Sequence, residues 1–128
     1  MADYTHRNLK DDVENASERF GLAPNMEARF ARRPLDLQGG GFSYQKLAPN
    51  YRPPAAHRHR THEEVYVVIG GGGRVKIEDE IRELKQWDAI RFAPGTARAF
   101  EGGPEGMELL AIGFGEGGEE MLDDFWVD

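Results

Sequence analysis

The chain has 128 residues, enough for one domain with a single core. Its longest uninterrupted apolar run, Val65 to Ile69, is five residues where a membrane helix needs roughly 20, so no membrane partner is expected. Sixteen basic against 23 acidic residues give a net charge of −7, which argues against nucleic acid, and the absence of cysteine excludes disulfides, thiolate metal sites and a cysteine nucleophile.

The first 25 residues are polar and mixed, with Asp11 and Asp12 and no apolar stretch of the kind a secretory signal carries, so a cytoplasmic protein is expected. Leu9 to Arg19 has a thin apolar stripe (Leu9, Val13, Ala16) that would support one or two helical turns, and Phe20, Leu22 and Met26 read as anchors laying this arm onto the rest. From residue 26 the texture changes to short strand-like runs: Met26–Arg32, Gly41–Leu47, Ala55–Arg60, Glu64–Ile69, Arg74–Glu78, Ile81–Leu84, Asp88–Phe92, Ala97–Glu101 and Glu108–Phe114. The punctuation between them is rich in turn residues, including Gly39-Gly40-Gly41, Gly70 to Gly73, Pro94-Gly95 and Gly102-Gly103-Pro104. Turns every eight to twelve residues with no long helical period predict an all-β sandwich or barrel. The division expected is an N-terminal arm over 1–25, a barrel over 26–114 and an acidic, aromatic tail over 115–128. In that tail Met121, Leu122, Phe125 and Trp126 predict docking on the barrel or on a second subunit, and a homodimer is the favoured assembly.

The stretch that carries chemistry is His57-Arg58-His59-Arg60-Thr61-His62-Glu63-Glu64-Val65-Tyr66. On a strand alternate residues share a face, so His57 and His59 point together and Arg58 and Arg60 point away. If residues 60–63 form a hairpin loop, His59 lies opposite Glu64 and His57 faces Tyr66. Two imidazoles and a carboxylate then converge, the face used by two-histidine, one-carboxylate iron sites with positions left open for substrate. Glu63 is the competing carboxylate at the loop end and is expected to face outward; His62 is expected in solvent. Gly70 to Gly73 is not a phosphate loop, since neither a helix nor Gly-Lys-Ser/Thr follows, and it predicts a hairpin turn. Tyr66, Val68, Ile90, Phe92 and Phe100 are expected as interior wall, with Tyr66 also a ligand contact, and Trp87 is expected to pack at a turn. One of Tyr44 and Gln45 must face inward; Gln45 is taken as the ligand contact.

The spacing His57-x-His59-x₄-Glu64-x₆-Gly71 resembles the first motif of the cupin superfamily. Its second motif, Gly-x₅-Pro-x-Gly-x₂-His-x₃-Asn, falls on Trp87 to Phe100, which keeps Asp88, Gly95 and Phe100. Trp87 stands where the family has glycine, Ala93 where it has proline, and Arg98 where it has the metal histidine. The resemblance covers residues 41–114 and is strongest to the small single-domain cupins. It implies a conical β-barrel (a jelly roll) of two antiparallel sheets with the site inside its mouth, and no single reaction. It also places Arg98 in the interior, where a guanidinium needs a partner: Glu64, an anionic ligand, or water reached from a splayed strand end.

Two functions follow as expectations. In the first, His57, His59 and Glu64 hold a divalent metal (iron, zinc, nickel or manganese) with three protein ligands, while Arg98, Tyr66 and Gln45 bind a small anionic or polar metabolite that undergoes oxygenation or isomerisation. In the second, the metal is absent and the same cavity is a small-molecule binding module, with Arg98 paired to Glu64 or to an anionic ligand.

Overall fold

The computed structural model describes residues 1–54, 56–115, 119–122 and 125–126. Among these described residues it is all-β, with eight strands: β1 (Met26–Phe30), β2 (Gly41–Leu47), β3 (Ala56–His59), β4 (Glu64–Ile77), β5 (Glu80–Lys85), β6 (Ala89–Phe92), β7 (Arg98–Gly113) and β8 (Glu119–Leu122). All the pairings are antiparallel. Two strands are far longer than the rest. The first half of β4 pairs the second half of β7, and the second half of β4 pairs the start of β7. Around the first crossing lie β1, β2 and β6; around the second lie β5, β3 and β8. The result is a curled sheet of two halves that face each other, with β4 and β7 running through both.

The expected turns at Gly70–Gly73 and Gly102–Pro104 are therefore bends inside β4 and β7, not hairpins. The reason is steric. A Cβ on Gly73 would meet Glu101 O at 2.1 Å, and one on Gly71, where φ is +64°, would meet Gly106 O at 2.1 Å. Without side chains the two backbones cross closely enough to fold the ladder over, and the register shifts at this point. A glycine cluster carries the same composition whether it bends a strand or ends one.

The expected hairpin between β3 and β4 is also replaced. β3 pairs with β7, His57 opposite Arg98, and with β8, while β4 pairs with β6 and β7. Residues 60–63 carry the chain from one half of the sheet to the other. Ala55, expected to open β3, lies outside the described residues.

The core between the halves is Leu47, Tyr66, Val68, Val75, Phe92, Phe100, Met107, Leu109 and Ala111, with Ile90 partly buried against it. Tyr66 and Phe92 come from one half and Phe100 from the other, and their rings pack 4.6–6.1 Å apart. Trp87 does not pack at its turn; it is 70% exposed with φ of +75°.

The N-terminal arm has turns but no helix among the described residues. Val13 and Ala16 are its buried anchors, and Asn15 bridges to Arg29 of β1, whose guanidinium donates to Val13 O at 2.6 Å. Phe20, expected as an anchor, is exposed and meets Phe30 edge-on at 6.0 Å. The arm is thus held by two residues of its thin apolar stripe together with the Asn15–Arg29 bridge, without forming the expected helical turns. In the tail, β8 lies along β3, Trp126 sits 4.3 Å from the Arg52 guanidinium, and the carbonyl of Phe125 accepts from Lys76. Residues 116–118, 123–124 and 127–128 of the expected tail lie outside the described residues.

The crossing makes a direct prediction. Gly73→Ala should destabilise the protein by about 2 kcal/mol or more, because backbone must move to admit one methyl group. Gly39→Ala, where a Cβ meets nothing within 4 Å, should shift the urea midpoint little. Equal midpoints for the two variants would show that the crossing is not tight.

Candidate metal centre

The site lies where the open ends of the two halves meet. On β4, alternation turns Glu64, Tyr66 and Val68 inward. On β3, His57 and His59 share the inward face, and on β7 Arg98 and Phe100 do so. On β2, Ser43, Gln45 and Leu47 line a cavity of about 890 Å³ whose polar end also holds His57, His59, His62, Glu64 and Tyr66. Gln45 thus faces inward and donates to Ser43 Oγ at 3.1 Å. Tyr44 points to the other face, buried beneath the arm with Lys10 Nζ 4.4 Å from its ring centre.

The side chains meet across the cavity, not along a ladder. His59 Nε2 is 3.4 Å from Glu64 Oε2, and the Tyr66 hydroxyl is 3.4 Å from His57 Nε2. The two imidazoles stand edge to face, 5.5 Å apart. Arg98 is 1% exposed and donates through Nη2 to Glu64 Oε1 and through Nη1 to Thr96 O at 3.3 Å. Its guanidinium carbon lies 4.8 Å from the Phe92 ring centre. Of the three partners considered for Arg98, the structure provides Glu64, and Arg98 is not among the residues lining the cavity. Glu63 faces outward to Arg91 at 3.2 Å.

Two residues join the site that the sequence did not single out. His62 turns in from the loop and packs 4.5 Å from the His59 ring, instead of standing in solvent. It fits because Gly115 has no side chain; a Cβ there would meet His62 Cβ at 2.9 Å. Glu119 on β8 brings Oε2 to 3.7 Å from His59 Nε2. The His59-x-x-His62 spacing was a local signal for the first. Nothing local marks Glu119 among 23 acidic residues; only the pairing of β8 with β3 puts it there.

The electrostatics separate the groups. Burial, reinforced by the Arg98 charge, pushes His57 down to about 4, so this imidazole is neutral near pH 7. The hydrogen bond to Glu64 raises His59. Burial alone would raise the Glu64 carboxyl, but the His59 hydrogen bond and the Arg98 charge together bring it down to about 2. Burial lowers His62 and raises the Tyr66 phenol, which stays protonated.

The donor set fits a divalent ion. Among the described residues His57, His59 and Glu119 each offer one ligand atom, all within 4.8 Å of one another. His59 Nδ1 and His62 Nδ1 are buried with no hydrogen-bond partner, an arrangement that a bound ion or ligand would satisfy. Nitrogen and oxygen donors without thiolate suit iron, zinc, nickel or manganese alike.

Comparison with known proteins places the fold. A family model described as a cupin domain matches residues 43–113. The chain is similar to a cupin protein from Bacteroides fragilis, at 24% identity and a TM-score of 0.73, over 100% of this chain and 99% of that one. It is similar to oxalate decarboxylase from Bacillus subtilis at 22% identity and a TM-score of 0.75, over 95% of this chain and 33% of that one. Salicylate 1,2-dioxygenase from Pseudaminobacter salicylatoxidans is 16% identical with a TM-score of 0.64, over 77% of this chain and 30% of that one. The chain thus spans about a third of each of these two enzymes. A search of curated protein sequences finds no match.

The buried ion pair yields a prediction for stability. Arg98→Met leaves the Glu64 carboxylate buried without its guanidinium and should cost about 3 kcal/mol. Removing both charges in Arg98→Met/Glu64→Gln should recover most of that loss. Chemical denaturation of the two variants measures it; a double variant no more stable than the single one would show that the pair is not coupled.

Proposed function

This chain belongs to the cupin family, and from that premise we propose that it is a metal-assisted enzyme acting on a small anionic or polar metabolite, with oxygenase- or isomerase-like chemistry. One observation carries the reading: two histidines and a carboxylate present their ligand atoms within 4.8 Å of one another at the polar end of a cavity large enough for a metabolite. His57 and His59 hold the ion together with a carboxylate. When bound, such an ion with open positions supplies Lewis-acid polarisation of a coordinated substrate oxygen.

The protein's own groups do the rest. Neutral His57 is ready to give a lone pair without first losing a proton. Tyr66, protonated and buried beside His57, offers a hydroxyl at the floor of the site. Gln45 presents an amide from the opposite wall. Arg98 acts through Glu64, holding that carboxylate ionised and fixed, and the apolar floor of Phe92 and Phe100 beneath it keeps water out.

The same ion pair favours a second reading, a metal-free binding module in which Arg98 neutralises Glu64 and the cavity holds a small molecule without changing it. Metal analysis separates the two. Protein purified without chelator or affinity tag should carry close to one equivalent of iron, zinc, nickel or manganese. His57→Ala and His59→Ala should each reduce it to background, since the remaining donors cannot compete for the ion. A parent protein that holds none of these metals, even after reloading, would favour the binding module.

A further inference from the structure

We propose that the carboxylate of the metal centre is Glu119, carried in on the C-terminal strand β8, and that Glu64 serves as an anchor for His59 and not as a ligand. This rests on the metal-centre reading above.

Both oxygens of Glu64 are already committed. Oε1 accepts from Arg98, and Oε2 lies 3.4 Å from His59 Nε2. To turn toward an ion, Glu64 would have to leave a guanidinium that is 1% exposed and whose other hydrogen bond among the described residues, to Thr96 O, is 3.3 Å long. A buried cation without its counter-charge is strongly unfavourable, so Arg98 holds Glu64 where it is.

Glu119 has no such tie. Among the described residues it is paired with no arginine or lysine, and the one ion-pair contact it makes is with the His59 imidazole, 3.7 Å away. Its side chain is about half exposed, so it can adjust to an ion at little cost. Its ligand atom falls within 4.8 Å of those of both His57 and His59, so a small inward movement of this side chain would bring the three together around an ion that needs roughly 2.0–2.2 Å to each.

The backbone fixes this placement. β8 runs antiparallel to β3, with Glu119 opposite His59 and Met121 opposite His57. Facing residues of a pair share one side of the sheet, so Glu119 enters the cavity beside His59. Glu120 points to the other side, where Arg58 at 2.9 Å and Arg60 both hold it. That clamp pins the register: a slip of one residue would turn Glu120 inward and Glu119 out. Beyond β8, Phe125 and Trp126 lie against Lys76 and Arg52. The described residues of the tail thus lie against the barrel at two places, and an ion held by Glu119 would tie down the first of them.

Cobalt(II) titration of the full chain, followed by visible ligand-field absorption and calorimetry, tests the assignment. The parent should bind one equivalent. Glu119→Gln should bind at least about tenfold more weakly, with an altered spectrum, while the thermal midpoint of its metal-free form stays at the parent's. Arg98→Met/Glu64→Gln removes the other carboxylate together with its counter-charge but keeps an amide oxygen that can accept from His59, so it should lose clearly less affinity than Glu119→Gln and keep the parent's ligand-field spectrum. Parent-like binding by Glu119→Gln, or a loss in the double variant as large as that in Glu119→Gln, overturns the assignment and leaves the metal-centre reading standing. A parent that takes up no cobalt overturns both.

Discussion

The ladder between β4 and β7 folds back on itself at paired glycines, and the site exists because it does so. Glu64 opens β4 and Arg98 opens β7, which puts them at opposite ends of the shared ladder: Glu64 faces Gly113, and Arg98 faces Ile77. A straight strand from Glu64 to Ile77 would run about 40 Å at roughly 3.3 Å per residue. Yet the two side chains touch. The fold at Gly70–Gly73 and Gly102–Gly106 brings the two halves face to face, and the ion pair closes the gap between them. Everything in the cavity is hung from that closure.

A charge pair is an unusual group to bury, and its surroundings account for it here. Arg98 lies against the rings of Phe92 and Tyr66, at 4.8 and 5.8 Å, which accept a guanidinium on their faces. Glu64 adds His59 as a second partner. The outcome is a graded site: an apolar floor, an ion pair above it, imidazoles above that, and the open cavity. Because His57 is held neutral by burial and by Arg98 while Glu64 is held ionised by Arg98 and His59, one guanidinium helps set the charge state of two neighbours.

The terminal segments complete the barrel from outside. The arm covers β1 through the Asn15–Arg29 bridge, and β8 adds a strand beside β3. Both cover strands that would otherwise present unpaired backbone, the usual liability of an open sheet. They differ in their anchoring. The arm is held by buried Val13 and Ala16 and by backbone acceptors for Arg29. The C-terminal segment is held by charge and ring contacts: Glu120 with Arg58 and Arg60, and Trp126 over Arg52.

The amino-acid order by itself determined the class of fold and which of His57, His59, Glu64 and Tyr66 share a strand face. Alternation in His57-x-His59 and in Glu64-x-Tyr66 sets which side chains share a face, because strand geometry leaves no other choice. The same parity put Arg98 with Phe100, and the lack of any long helical period settled an all-β chain. What the order of residues left open was everything that depends on which strand lies beside which. Glycine runs mark a bend and a turn equally, so two long crossing strands read as four short ones. Tyr44 and Gln45 alternate correctly in either register, and only the arm packed over Tyr44 shows which is outside. Arg98 could be seen to need a partner, but choosing Glu64 took the folded ladder. Glu119 lies 60 residues from His59 and is adjacent to it only through the pairing of β8 with β3, a contact that local patterning cannot encode.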